Sequence, residues 1–131
     1  MAVTHSTASK DAATNAVVDQ LDGAGSKLVF RISPSSVASP GTAVATLTFA
    51  TPAFGASSSG TATAGAIASD TNATGNASAV AYASLQTSGD VIAIHCEVAA
   101  AASDINMSNG LTVAAGDTVS CSSLTYAALS A

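Results

Sequence analysis

Positive charge is what this chain has least of. Lys10, Lys27 and Arg31 are the only Lys or Arg among 131 residues. Binding to nucleic acid needs clustered bases that displace counterions, and three scattered ones do not form such a patch. The same shortage disfavours an anionic membrane surface. Charged residues make up 8% of the chain, against about 25% in ordinary globular domains. The net charge is −5, aromatic residues are 4% and Trp is absent. The 48% of hydrophobic residues is therefore mostly Ala and Val, and each small side chain contributes little on burial. Stability then depends on many modest contacts and a backbone hydrogen-bond network. That favours a β-rich fold and an oligomer that buries more surface than one subunit can.

Long apolar runs are also missing. No stretch of about 18 apolar residues is present to span a bilayer, because Ser, Thr, Asp or Gly interrupts every one. The opening MAVTHSTASKD has no apolar h-region, so the expectation is a protein made in the cytoplasm and kept there until assembly. Cys96 and Cys121 are the only cysteines, too far apart for a zinc spacing or a CxxC motif. They are expected as free thiols acting as small hydrophobes, a disulfide being the lesser reading. The length fits one compact domain, with an N-terminal arm and helix over residues 1–25 and a β-sandwich over 26–131.

Residues 7–21 have helical periodicity. Ala13, Ala16, Val17 and Leu21 share one face, Thr7 or Ser9 is the expected N-cap, Asp11 lies near the positive helix end, and Gly23 is the expected stop. After Gly25 the pattern is β. Residues 27–33 alternate, with Leu28, Phe30 and Ile32 opposite Val29 and Arg31. Residues 44–50 place Leu47 and Phe49 inward. Residues 60–69 read as a strand of Ala, Thr and Gly with Ile67 as its only large side chain. Residues 79–85 form a strand, and Thr87-Ser88-Gly89-Asp90 a hairpin turn. In residues 91–99, Ile92, Ile94, Cys96 and Val98 oppose Val91, Ala93, His95 and Glu97. Ile105 and Met107 alternate before the Asn109-Gly110 turn. In residues 119–128, Val119 and Cys121 have the opposite parity to Leu124 and Tyr126, which implies a bulge or a change of sheet. Seven or eight short strands with regular turns predict a mainly β protein, a jelly-roll-like β-sandwich with one N-terminal α-helix.

Chemistry-bearing residues are few. His95 and Glu97 share a strand face, but a metal site needs further ligands and the only other histidine is His5; a solvent-facing or interface pair is expected. His95 and Cys96 are adjacent in a strand, so they point to opposite faces and form no nucleophile–base pair. Asp70, Asp90, Asp104 and Asp117 each sit beside a turn, where Asp usually bonds nearby backbone; Asp70 with Thr71 and Asn72 is the least unlikely ion site. Three Asn-X-Ser/Thr triplets, beginning at Asn72, Asn76 and Asn106, are chance matches if no signal peptide directs glycosylation. Gly23-Ala24-Gly25 and the Gly60–Gly65 region lack a phosphate-loop pattern. No catalytic, cofactor or metal residues are expected.

The segments STASKDAATNAVVDQLD, KLVFRIS, VATLTFATPAFGASSSGTATAGAIASDTNA and INMSNGLTVAAGDTVSCSSLTYAA together resemble a family of small virion proteins of tailed bacteriophages. The likeness is strongest over residues 44–73 and 105–126 and rests on hydrophobic pattern and turn placement. The middle departs from the family pattern, with Ser88-Gly89-Asp90 where members carry an exposed Asp-Gly turn. The resemblance implies a structural role in the particle: a capsid cement or decoration protein on the outer surface of the major capsid protein lattice, self-associating as a homo-oligomer such as a trimer, with no enzymatic activity. The alternative is a tail, neck or fibre-associated component with a host-attachment role. Residues 55–72 have almost no large side chain to bury in their own core, so Ser57, Ser58, Thr61, Thr63 and Ala66 are the expected interface residues.

Overall fold

In the computed structural model, which describes residues 3–129, the elements in chain order are α1 (Thr7–Val18), a 3₁₀ turn (Asp19–Leu21), β1 (Lys27–Ile32), β2 (Ala43–Phe49), β3 (Ala62–Thr63), β4 (Ile67–Ala68), β5 (Val80–Gln86), β6 (Ile92–Ala99), β7 (Ile105–Asn106) and β8 (Thr125–Tyr126). The protein is mainly β. Six strands form one curled sheet in the order β4-β2-β1-β5-β6-β7, and β3 pairs with β8 in a separate ribbon. Every pairing is antiparallel except β6 with β7. Among the described residues no helix is long and apolar enough to cross a membrane.

Sheet curvature comes from three register slips. Phe30 pairs with Ala45 and Arg31 with Ala43, leaving Val44 unpaired. Arg31 pairs with Tyr82 and Ile32 with Val80, leaving Ala81 unpaired. Leu85 pairs with Ile94 and Gln86 with Ile92, leaving Ala93 unpaired. An extra residue raises local twist and bends its strand. It also changes which residues face inward. Val80 and Ala83 are both core residues despite opposite parity because Ala81 lies between them. Ile92, expected on the core face with Ile94, pairs instead with Gln86, and Ala93 packs against the core.

The core joins Leu28, Phe30, Leu47, Phe49, Val80, Leu85 and Val98 of the large sheet to Val18 and Leu21 near the helix end. Loop residues Ala53, Phe54, Ala73, Val113 and Val119 complete it. The Phe49 and Phe54 rings lie 5.8 Å apart at 42°. Most of the other members are Ala or Val, as the composition requires.

Several local expectations change. Ser6, not Thr7 or Ser9, caps the helix: its hydroxyl accepts the Ser9 N–H at 3.2 Å from an extended backbone. The helix tightens into the 3₁₀ turn, and the positive-φ residue after it is Gly25 rather than Gly23. The buried Ser26 hydroxyl turns back to the carbonyls of Leu21 (2.7 Å) and Gly23 (3.0 Å). The expected strand over residues 60–69 is two short pieces, since β3 pairs with β8 while β4 pairs with β2. The parity switch after Cys121 is a change of partner: Val119 bridges Asp70, whereas Thr125 and Tyr126 pair with Thr63 and Ala62.

Phe49→Ala removes a buried ring from this core, and an expected loss of about 3–5 kcal/mol is read from urea unfolding. A near-wild-type midpoint would mean that Phe49 does not anchor the sheet.

Candidate functional site

The small-residue run after Phe54 is held from beneath by the helix. Asp11 Oδ1 accepts the Ser57 hydroxyl at 2.8 Å and the Gly60 N–H at 2.7 Å. Asn15 Oδ1 accepts the Ser57 N–H at 2.8 Å. Thr14, fully buried, donates its hydroxyl to the Gly60 carbonyl at 2.7 Å and accepts the Ala128 N–H at 3.0 Å. Ser58 and Thr61 exchange a pair of backbone hydrogen bonds at 2.9 and 3.1 Å. Gly60 is required at the tip: its φ is +84°, and a Cβ there would sit 2.9 Å from Lys10 Cβ. The helix therefore docks through Asp11, Thr14, Val18 and Leu21, rather than through the Ala13, Ala16, Val17 and Leu21 face. Thr14 and Val18 are buried, whereas Ala16 is exposed.

The five residues expected at an interface divide between two environments. Ser57 is half-buried and bonded to the helix, while Ser58, Thr61, Thr63 and Ala66 are exposed. Their side chains are small and uncharged, and the backbone beneath them is fixed.

A second polar assembly lies on the sheet face opposite the core. Arg31 donates through Nε to Ser84 Oγ (3.0 Å), through Nη1 to the Gly41 carbonyl (2.7 Å) and through Nη2 to Gln86 Oε1 (2.9 Å). Ser84 donates to the same Gln86 oxygen at 2.8 Å, and Gln86 Nε2 donates to Asp90 Oδ1 at 2.9 Å. Lys27 completes the chain with a 2.8 Å ion pair to Asp90. Ser84 and Gln86 are buried and carry no unsatisfied-group penalty because each has partners. Burial lowers the Arg31 pKa, with Asp90 opposing. The hydrogen bonds from Lys27 and then Gln86 hold the Asp90 carboxyl below its ordinary range.

The segment from Ser33 to Thr42 is fastened over this face. Ser35 Oγ accepts the Gly41 N–H at 3.0 Å and lies 3.0 Å from His95 Nε2. The His95 ring packs on Tyr82 with centroids 5.1 Å apart. Gly41 leaves no room for a side chain, since a Cβ would meet the Ile32 carbonyl oxygen at 2.3 Å. His95 is thus half-buried and clamps a loop, where sequence reasoning expected a solvent-facing or interface pair with Glu97. With Nε2 as acceptor, the Ser35 hydroxyl holds both ends of the clamp. A nucleophile–base pair also needs a group that orients the base; among the described residues no carboxylate is hydrogen-bonded to the His95 ring.

The turn carboxylates mostly bond backbone. Asp70 accepts the Asn72 and Thr46 N–H groups, Asp117 that of Ala114, and Asp104 that of Glu97. Asp90 differs, committing its oxygen to Lys27 and Gln86. Among the described residues no three His, Cys, Asp or Glu cluster as metal ligands. Both cysteines are free and half-buried. Cys96 Sγ lies 3.6 Å from the Ala83 carbonyl on the core side, away from His95. Burial, aided by Asp104, pushes its thiol up to about 11. Burial also raises Cys121, while a backbone hydrogen bond with Ser123 opposes the shift.

The sequence does carry a signal for the second assembly, in the polar alternation of Arg31 with Phe30 and Ile32, and of Ser84 and Gln86 with Leu85. The partner loop is not predictable from that alternation. No family model matches the chain, and no curated protein and no solved structure matches it.

Because the raised thiol is protonated at neutral pH, iodoacetamide should label native Cys96 slowly at pH 8 and faster as pH approaches 11. Unfolding in urea should remove the delay. Rapid labelling of native Cys96 at pH 8 would contradict its placement against the core.

Proposed function

We propose that this chain is a bacteriophage virion structural protein. In this reading it is a capsid cement or decoration subunit that binds the outer surface of the major capsid protein lattice, associates with further copies of itself, and performs no chemistry. The virion surface is its final location. The architecture proposed with it is a reduced jelly-roll sandwich, in which the β3–β8 ribbon and its flanking extended segments serve as the second layer over the curled sheet.

One observation carries the reading. Ser58, Thr61, Thr63 and Ala66 are exposed, small and uncharged, and the turn that carries Ser58 and Thr61 is anchored through Gly60 and Ser57 to α1. Small side chains lose little rotamer freedom when covered, and a fixed backbone avoids the ordering cost of association. Few charges need desolvation. These properties suit a lattice component that makes extensive repeated contacts. The resemblance to small phage virion proteins points the same way.

Quantifying the protein against the major capsid protein in purified particles tests this. Cement requires a copy number in fixed ratio to the symmetric lattice. A handful of copies per particle would overturn the cement role in favour of a tail, neck or fibre position, and absence from particles would overturn both.

A further inference from the structure

An asparagine side chain is a latent electrophile toward its own backbone. The main-chain nitrogen of the next residue can attack Cγ and close a succinimide ring, which makes asparagine one of the labile residues of a protein. Attack needs a side chain free to turn, a nitrogen not held firmly by its own hydrogen bond, and no side chain on the following residue to crowd the ring.

Asn15, Asn72, Asn76 and Asn106 each fail a condition. Asn15 lies within α1, and its Oδ1 holds the Ser57 N–H. Asn76 Oδ1 accepts the Ser78 N–H at 2.8 Å, and Asn106 Oδ1 accepts the Ser103 N–H at 3.0 Å. Met107, after Asn106, has its N–H bonded to the Ala99 carbonyl at 2.8 Å. Ala73, after Asn72, is buried, and its N–H is bonded to the Asp117 carbonyl at 3.0 Å.

Asn109 meets every condition. It is exposed in the turn after β7, and among the described residues its side chain has no hydrogen-bond partner. Gly110 follows, also exposed, and even a Cβ there would meet nothing within 4 Å. The Gly110 N–H reaches the Met107 carbonyl only at 3.3 Å, longer than a well-made bond of this kind. Its φ of +113° favours glycine at this position, so the turn keeps the reactive pair together.

We propose that Asn109 is a site of spontaneous deamidation in the folded protein. The Gly110 nitrogen gives up its proton to solvent and bonds Asn109 Cγ. The Cγ–Nδ2 bond breaks, and ammonia leaves after taking a proton from solvent. Water then opens the ring at either carbonyl, giving Asp or an isoaspartate whose main chain runs through Cβ. Either product replaces a neutral amide with a carboxylate. Asn109 lines a cleft of about 500 Å³ in which Asp117 is the only charged residue. The reaction therefore gives that cleft a second carboxylate, in a chain already at −5. It needs only solvent and stands apart from the virion reading.

Incubating the full native chain in mildly alkaline buffer tests this, with an endoproteinase that cuts ahead of Asp as the readout. Asp104 and Asp117 bound a peptide of residues 104–116. Isoaspartate should leave that peptide whole with the mass gain of an amide-to-acid conversion, placed at residue 109 by fragmentation. Asp should add a new cut ahead of residue 109. Isoelectric focusing should show a more acidic form accumulating, and Asn109→Gln should remove it together with both peptide signals. Conversion arriving first at Asn72, Asn76 or Asn106, conversion of Asn109 only after urea has unfolded the chain, or an undiminished acidic form in Asn109→Gln would each overturn the assignment.

Discussion

The structure depends on the polar underside of α1. The run from Gly55 to Ala66 holds no side chain larger than Thr, so burial, chiefly of Ala62, fixes it only weakly. Hydrogen bonds to its backbone do more, and α1 provides them at three points. Asp11 takes the Gly60 N–H, Asn15 takes the Ser57 N–H, and Thr14 gives a proton to the Gly60 carbonyl. A buried hydroxyl without partners would be costly, whereas Thr14 has one partner for its proton and another for its lone pair. The second is the Ala128 N–H near the far end of the chain. One helical turn thus ties together the amino-terminal region, the small-residue run and the carboxy-terminal region.

The curled sheet solves a related problem with equally few charges. Its inner face is apolar and small, and its outer face hides a guanidinium, a hydroxyl and an amide beneath the loop clasped by Ser35 and His95. Arg31 finds only neutral acceptors directly, and Asp90 receives the Lys27 charge and the Gln86 amide at one end of the chain of bonds. Lys27 and Arg31 are thus committed to bonds within the fold, Lys10 runs its aliphatic stem past Gly60, and the side chains of the run proposed as an interface are hydroxyls and methyl groups. A surface of that kind attracts neighbours through shape and repetition more than through charge steering.

Sequence pattern was informative wherever large apolar side chains alternate. The strands around Leu28 and Phe30, Leu47 and Phe49, Val80 to Leu85 and Ile94 to Val98 are legible for that reason, as is the turn at Ser88-Gly89. It failed where burial is made good by distant hydrogen bonds. Thr14 looks like a solvent residue in any local window, because its partners lie 46 and 114 positions away. It failed also at Ala81 and Ala93, where a single unpaired residue reverses the faces of its strand neighbours and leaves no trace in composition. In the candidate interface the run of small residues was visible, but the inward commitment of Ser57 was not. His95 was misplaced because its partner Ser35 belongs to a loop whose path periodicity does not encode.

Amide hydrogen exchange at Ser57 and Gly60 tests most directly the claim that α1 organises the small-residue run. Both amides should be protected in the native protein, and Asp11→Ala should release Gly60 while the amides of β1 keep their protection. Exchange of the wild-type Gly60 amide at the rate of an unstructured chain, or full protection retained in Asp11→Ala, would contradict it.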